Sequence, residues 1–320
     1  MATEAQSQEI LRRRLPNRWG LLRAHWRRSR EQIKEVTRHP LGLIGTGLIV
    51  VFALMVLAHP VLMNTVWDRK RFDPIVGFDA PLAPHPTSPT SIHPLGTDGF
   101  GRDVLSQLLA GTRISFAVGL VAAVVAVTIS TLMGGSAGYF GGTVDAILMG
   151  IADVFVLLPA PIVLMIFGLL VKMNWLTVGL LYGVLTGLGS QAIVVKSHTL
   201  SIKVKPFIEA ARVAGGNNLH ILRVHILPGL MPIMLVHAFF TVVGAVLTES
   251  LLSFFSRTTH YLSWGSMIWL GQETFRWFDL SGQWHAIAPP ALAVMLFCSA
   301  FYLVGRALDD VFNPSLKKRR

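Results

Sequence analysis

Six stretches of this chain, residues 41–58, 114–137, 154–171, 174–195, 226–248 and 286–305, contain no Asp, Glu, Lys or Arg. Each is about as long as a helix must be to cross the ~30 Å hydrocarbon core of a bilayer. The fold class read from this pattern is an all-α polytopic membrane protein with six transmembrane helices. Composition agrees. Hydrophobic residues make up 52% and charged residues 14%, against about 25% charged in soluble domains, and the mean hydropathy is +0.56.

A net charge of +11 in a soluble chain would point to nucleic acid. Here the basic residues gather at Arg12–Arg14, at Arg27 and Arg28, in a loop that begins at Lys196, and in the tail Lys317–Arg320. That is the bias of cytoplasmic loops in a membrane protein, so no nucleic-acid partner is expected. It places both termini and the loop around Lys203 in the cytoplasm, and the segments around His85 and Thr274 outside. Residues 1–40 then form a cytoplasmic tail, 41–314 the membrane body and 315–320 a basic cytoplasmic tail. Residues 41–58 exceed the apolar core of a signal peptide, and no small-residue cleavage site follows them.

Several side chains invite chemistry, and each has a plainer reading. Cys298 is the only cysteine, which excludes an internal disulfide framework and suits packing. His85 and His93 lie in a proline-rich loop without Cys or a His-Glu-x-x-His helix, so they read as solvent-facing and no metal is expected. His237 falls inside an apolar span, where a neutral imidazole bonded to a neighbouring helix is expected. Trp264, Trp269, Trp277 and Trp284 read as an interfacial belt. Pro159 and Pro161 should kink the third span or set its entry. Thr143 can cap the helix before it, and Gly179, Gly183, Gly187 and Gly189 offer close contact faces.

The run from Lys196 to Pro228 is polar and basic between two spans. Pro206 suits a first helical turn, Phe207 to Val213 continue it with a Glu209–Arg212 pair, Gly215 and Gly216 end it, and Asn217 or Asn218 can cap a second helix. A helix, a tight turn and a helix at a membrane surface follow. Glu209-Ala210-Ala211, Gly215 and His225-Ile226-Leu227-Pro228 resemble the EAA loop of ABC importer permeases, in the form found in the peptide and nickel branch. Leu95-Gly96-Thr97-Asp98, followed by Gly101-Arg102-Asp103-Val104-Leu105-Ser106, is similar to the LGTD-x-x-GRDVLS signature of dipeptide and oligopeptide permeases. Ser263-Trp264-Gly265-Ser266-Met267 resembles that family's SWG-S-M segment. The chain departs from the pattern at Met149-Gly150, where the family has Met-Arg. It departs again at Leu252–Ser256, where both glycines of SFLGLG are missing, and at Pro289-Pro290, where Pro-Gly is usual.

The resemblance implies a permease subunit of an ATP-driven importer in the bacterial inner membrane. Such a subunit forms part of the pathway for a peptide-like solute brought by an extracytoplasmic solute-binding protein. The implied partners are two ATPase subunits and a second, related permease. Phe207, Glu209, Ala210, Ala211, Arg212 and Gly215 would be the ATPase-coupling residues, with Ala210 and Ala211 small where the two proteins meet. The sequence carries no P-loop, so the chain is not expected to be an enzyme or to bind a cofactor, and energy must come from outside it. No substrate-binding residue is assigned. Since the spans lack charge, solute contact is expected to be weak and mostly apolar. A secondary transporter or channel is the alternative, although the spans hold no ionic relay and no inverted repeat is evident. An intramembrane enzyme would need Gly-x-Ser-x-Gly or His-Glu-x-x-His, and neither occurs.

Overall fold

The computed structural model describes residues 36–82, 85–255, 261–274 and 284–312. Among them every regular element is helical, in the order α1 (Pro40–Thr65), α2 (Arg69–Phe72), α3 (Val104–Phe140), α4 (Gly142–Val156), α5 (Ala160–Leu170) and α6 (Trp175–Leu188). There follow α7 (Ser190–Lys203), α8 (Pro206–Val213), α9 (Asn218–Ile221), α10 (Leu227–Phe255), α11 (Trp264–Thr274) and α12 (Trp284–Phe312). Four helical runs, α1, α3, Asn218–Phe255 and α12, are each long and apolar enough to cross a membrane. The pairs α4–α5 and α6–α7 qualify when each is taken together, bent by 76° and 45°, so the described residues hold four to six spans. Trp277, residues 1–35 of the N-terminal tail and the C-terminal tail 315–320 lie outside the described residues.

Helices here stop at caps rather than at the edges of the apolar runs. The 37 residues of α3 extend for about 55 Å at 1.5 Å per residue, well beyond the hydrocarbon of a bilayer. It begins at Val104 because Asp103 accepts a hydrogen bond from the Ser106 amide at 2.6 Å. The third apolar run behaves differently from the expected single crossing at 154–171. The chain is already helical from Gly142 and breaks in the middle of the run, where Pro159, extended, stands before α5. A proline has no N–H to continue α4 and disfavours helical geometry in Leu158 before it. Thr143 does not cap α4; Gly141 holds that position without a side-chain bond. Asp145 in the first turn pairs instead with Lys196 of α7 at 2.6 Å.

Glycines make one of the close helix contacts. On α6, a Cβ at Gly179 would lie 3.0 Å from the Val118 carbonyl, at Gly183 2.7 Å from that of Ala122, and at Gly187 2.9 Å from that of Ala126. Three residues spaced by four on each helix therefore bring the backbones of α6 and α3 together, the arrangement small residues permit in membranes. A second core lies toward the start of α3. Trp264 is fully buried there, donating from Nε1 to the Leu108 carbonyl at 3.1 Å and packing on Phe52 and Phe297 at ring distances of 5.8 and 5.5 Å. It is thus a core residue and not part of an interfacial belt, while Trp284 remains exposed. The fifth run also continues past its predicted end at Thr248. Helix α10 reaches Phe255 and encloses Glu249, fully buried, whose carboxylate accepts from Ser253 Oγ at 2.7 Å.

Residues 66–82 and 85–103 fold over the start of α3, at the end of the molecule opposite α8. His93 is wholly buried, not solvent-facing, and its ring nitrogens lie 2.8 Å from Asp103 and 3.2 Å from Asp79. Burial pushes the Asp103 carboxyl above the ordinary carboxylate range, against the pull of His93 and the Ser106 amide. Asp98 accepts from the Phe100 and Arg102 amides, both at 2.9 Å, and from Gln107 at 2.8 Å. It also pairs with the Arg102 guanidinium at 2.6 Å. The LGTD-x-x-GRD pattern is in physical terms a turn organised by one carboxylate and a helix cap supplied by the other. Gly96 and Gly101 provide the positive φ that the turn needs.

Candidate functional site: the α8–α9 loop

Helix α8 begins at Pro206, where the missing N–H has no helical partner to lose. Its eight residues have two unlike faces. Ile208 is completely buried and joins Ile202, Ile221, Ile226, Leu230, Val195 and Tyr139 in one apolar cluster, with Ala211 packed against it. The opposite face is open: Val204, Phe207 and Val213 are 82%, 48% and 84% exposed. Val204, Pro206, Glu209, Ala210, Val213 and Ala214 line a groove of about 650 Å³ on that side. Exposed apolar side chains gathered along a groove are what a docking surface presents.

The two alanines consequently differ. Ala210 borders the groove, whereas Ala211 faces the chain's own core. Glu209 and Arg212 are both exposed, and no ion pair joins them among the described residues. After Val213 the chain reverses tightly. The amides of Gly215 and Gly216 bond to the carbonyls of Arg212 and Ala211, each at 3.0 Å, and Gly215 has φ +86°. A Cβ at Gly215 would meet nothing within 4 Å, so the glycine is required by the backbone and not by space. Asn217 caps α9, accepting from the His220 amide at 2.8 Å.

The loop is tied to two long helices. Tyr139, near the end of α3, donates to Asn218 Oδ1 at 2.8 Å, and the Lys203 ammonium lies over the Tyr139 ring at 5.8 Å. From α9 the chain passes without a break, through a π-helical turn at Leu222–Ile226, into α10. Ile208 thus packs α8 against Ile226 of the π turn and Leu230 of α10, and Tyr139 joins the same cluster from α3. Of the residues singled out in the sequence, Glu209 and Ala210 line the groove, Phe207 is exposed beside it, Ala211 faces inward, and Gly215 sets the turn. Val204 and Val213 escaped notice, although an exposed valine on each side of a short amphipathic helix is visible in the sequence once the phase of Ile208 is known.

Residues 126–318, more than half of the chain, match the protein family described as binding-protein-dependent transport system inner membrane component. The chain belongs to that family. Among the relatives of this permease is the dipeptide transport system permease of Bacillus subtilis, 29% identical over 95% of each chain. The oligopeptide transport system permease of Haemophilus influenzae is 32% identical, covering 82% of this chain and 84% of its own. The glutathione transport system permease of Pectobacterium atrosepticum is 33% identical over 72% of this chain and 75% of its own. The permease is thus a multi-pass membrane component of a transport system that depends on a binding protein.

Proposed function

We propose that this subunit, with a second related permease, forms the pathway for peptides handed over by an extracytoplasmic binding protein, and that two ATPase subunits drive it by engaging α8. Three relatives named for dipeptide, oligopeptide and glutathione transport support the solute class. The groove beside α8, with its exposed apolar rim, carries the coupling assignment. On this reading Phe207, Glu209, Ala210 and Arg212 meet the ATPases, Ala211 and Gly215 hold the helix in place, and the α8 end and both termini face the cytoplasm. An ATPase subunit moving α8 would bias helices α3 and α10 between two arrangements, the requirement for coupling distant sites.

The test is Ala210→Trp in the reconstituted complex. An indole there fills the groove without touching the chain's own core. An intruding side chain in a packed contact costs about 1–3 kcal/mol, which corresponds to roughly 5- to 150-fold in subunit affinity. Expression and membrane insertion are expected to stay normal, while co-purification of the ATPase subunits and the ATP hydrolysis stimulated by loaded binding protein fall together. Full stimulation in that variant would show that α8 is only a connector.

A further inference from the structure

Midway along the bent pair α6–α7 and midway along α10, the helices part to leave a cleft of about 370 Å³. That volume falls within the range of about 300–1,000 Å³ typical of small-molecule sites. Tyr182, Thr186, Ser190, Gln191, His237 and Thr241 supply its polar lining, with Val194 and Phe240 beside them. None of these side chains carries a fixed charge, and most can form hydrogen bonds. Lipid tails cannot satisfy such groups, so a cleft of this composition inside a span must face protein or water.

The bonds within the cleft leave one buried acceptor open. Thr186 and Thr241 return their hydroxyl protons to their own helices, to the carbonyls of Tyr182 at 2.9 Å and His237 at 2.7 Å. Gln191, nine-tenths buried, donates from Nε2 to Thr241 Oγ1 at 2.6 Å. Its Oε1 is buried and, among the described residues, accepts from no group. An amide oxygen in this state is costly unless a donor reaches it. The Tyr182 hydroxyl lies against Gly244, where a Cβ would collide with it. The bareness of α10 at that point is what lets the ring reach into the cleft.

We propose that this cleft is a transit subsite for the peptide backbone of the solute. Gln191 Oε1 accepts a backbone N–H, while the Tyr182 hydroxyl and the His237 ring serve the carbonyls. A neutral lining of this kind recognises what all peptides share and does not discriminate between their side chains. It also holds a zwitterion weakly, as a site that must release its cargo requires. Contact with the solute is then polar and uncharged, where the lack of charge in the sequence had suggested mostly apolar contact. The proposal rests on the peptide reading above.

The experiment uses the complete complex with its ATPases and binding protein in liposomes. The permease carries Ser190→Cys, an exposed position on the cleft, in a Cys298→Ser background. Reaction with a charged, water-soluble methanethiosulfonate is followed in the nucleotide-free and vanadate-trapped states, with and without alanine peptides of two to four residues, and with free alanine as control. The expected result is modification in at least one state, slowed threefold or more by a transported peptide and unaffected by alanine. Absence of modification in every state would mean that the second permease subunit fills the cleft, and the proposal would fall. Modification at a rate indifferent to peptide, in a complex that imports that peptide, would overturn the subsite and leave the peptide reading intact. If a panel of varied peptides is not imported by the wild-type complex, the peptide reading itself fails and takes the subsite with it.

Discussion

Ala210 and Ala211 are adjacent and chemically identical, yet the fold turns one toward a groove and the other toward the core formed by Ile208, Ile221 and Ile226. The spacing of the loop announces a helix followed by a glycine turn. It does not announce the phase of that helix, which depends on where Ile208 is buried. Ala211→Trp should therefore behave unlike Ala210→Trp. Overpacking of its own cluster, about 1–3 kcal/mol, is expected to lower the thermal stability of the purified permease in detergent, whereas Ala210→Trp leaves it unchanged. Equal melting temperatures for the two variants would contradict this orientation. At the other end of the molecule, Asp103→Ala removes a helix cap, typically about 1 kcal/mol, and leaves the buried His93 with one carboxylate neighbour fewer. A lower melting temperature than that of Asp68→Ala, which removes the exposed cap of α2, is the expected outcome. His93 and Asp103 stand ten positions apart with prolines and glycines around them, and no local pattern reveals that they meet.

Among the elements, the all-α architecture was legible because apolar runs of spanning length have few other uses. The ends of the helices were not, since an uncharged run marks what hydrocarbon tolerates and a helix ends where its backbone finds a cap or a proline. For this reason α3 starts ten residues before its apolar run, at Val104, capped by Asp103, and α10 carries a carboxylate, Glu249, that the hydropathy pattern left outside the span. The glycines of α6 were readable as contact faces, but their partners Val118, Ala122 and Ala126 became known only with the packing. Gly183→Leu tests that contact. Its side chain would meet the α3 backbone at Ala122, which cannot withdraw without moving the whole helix. The expected result is normal synthesis with loss of monodisperse protein on size-exclusion chromatography. Gly150→Leu, at a position with nothing within 4 Å of an added Cβ, is expected to remain monodisperse, and similar profiles for both would argue against the ridge.

For the whole molecule, the orientation proposed from charge places Val213 in the cytoplasm and Val76 outside. Both are strongly exposed, so single cysteines there, in a Cys298→Ser background, report sidedness directly. In intact cells an impermeant maleimide is expected to label Val76→Cys only, and labelling of Val213→Cys alone would invert the arrangement. The outermost pairing in the chain also joins its two ends in sequence. Gly45 of α1 lies so close to α12 that an added Cβ would be 2.8 Å from the Ala300 carbonyl, and Phe52 meets Phe297 edge to face at 5.2 Å. During translation α1 therefore enters the bilayer long before the surface that receives it exists. At ~5–20 residues per second that delay is on the order of tens of seconds. The helix with the longest wait is also the most apolar of the four long spans, so lipid alone can house it until α12 arrives.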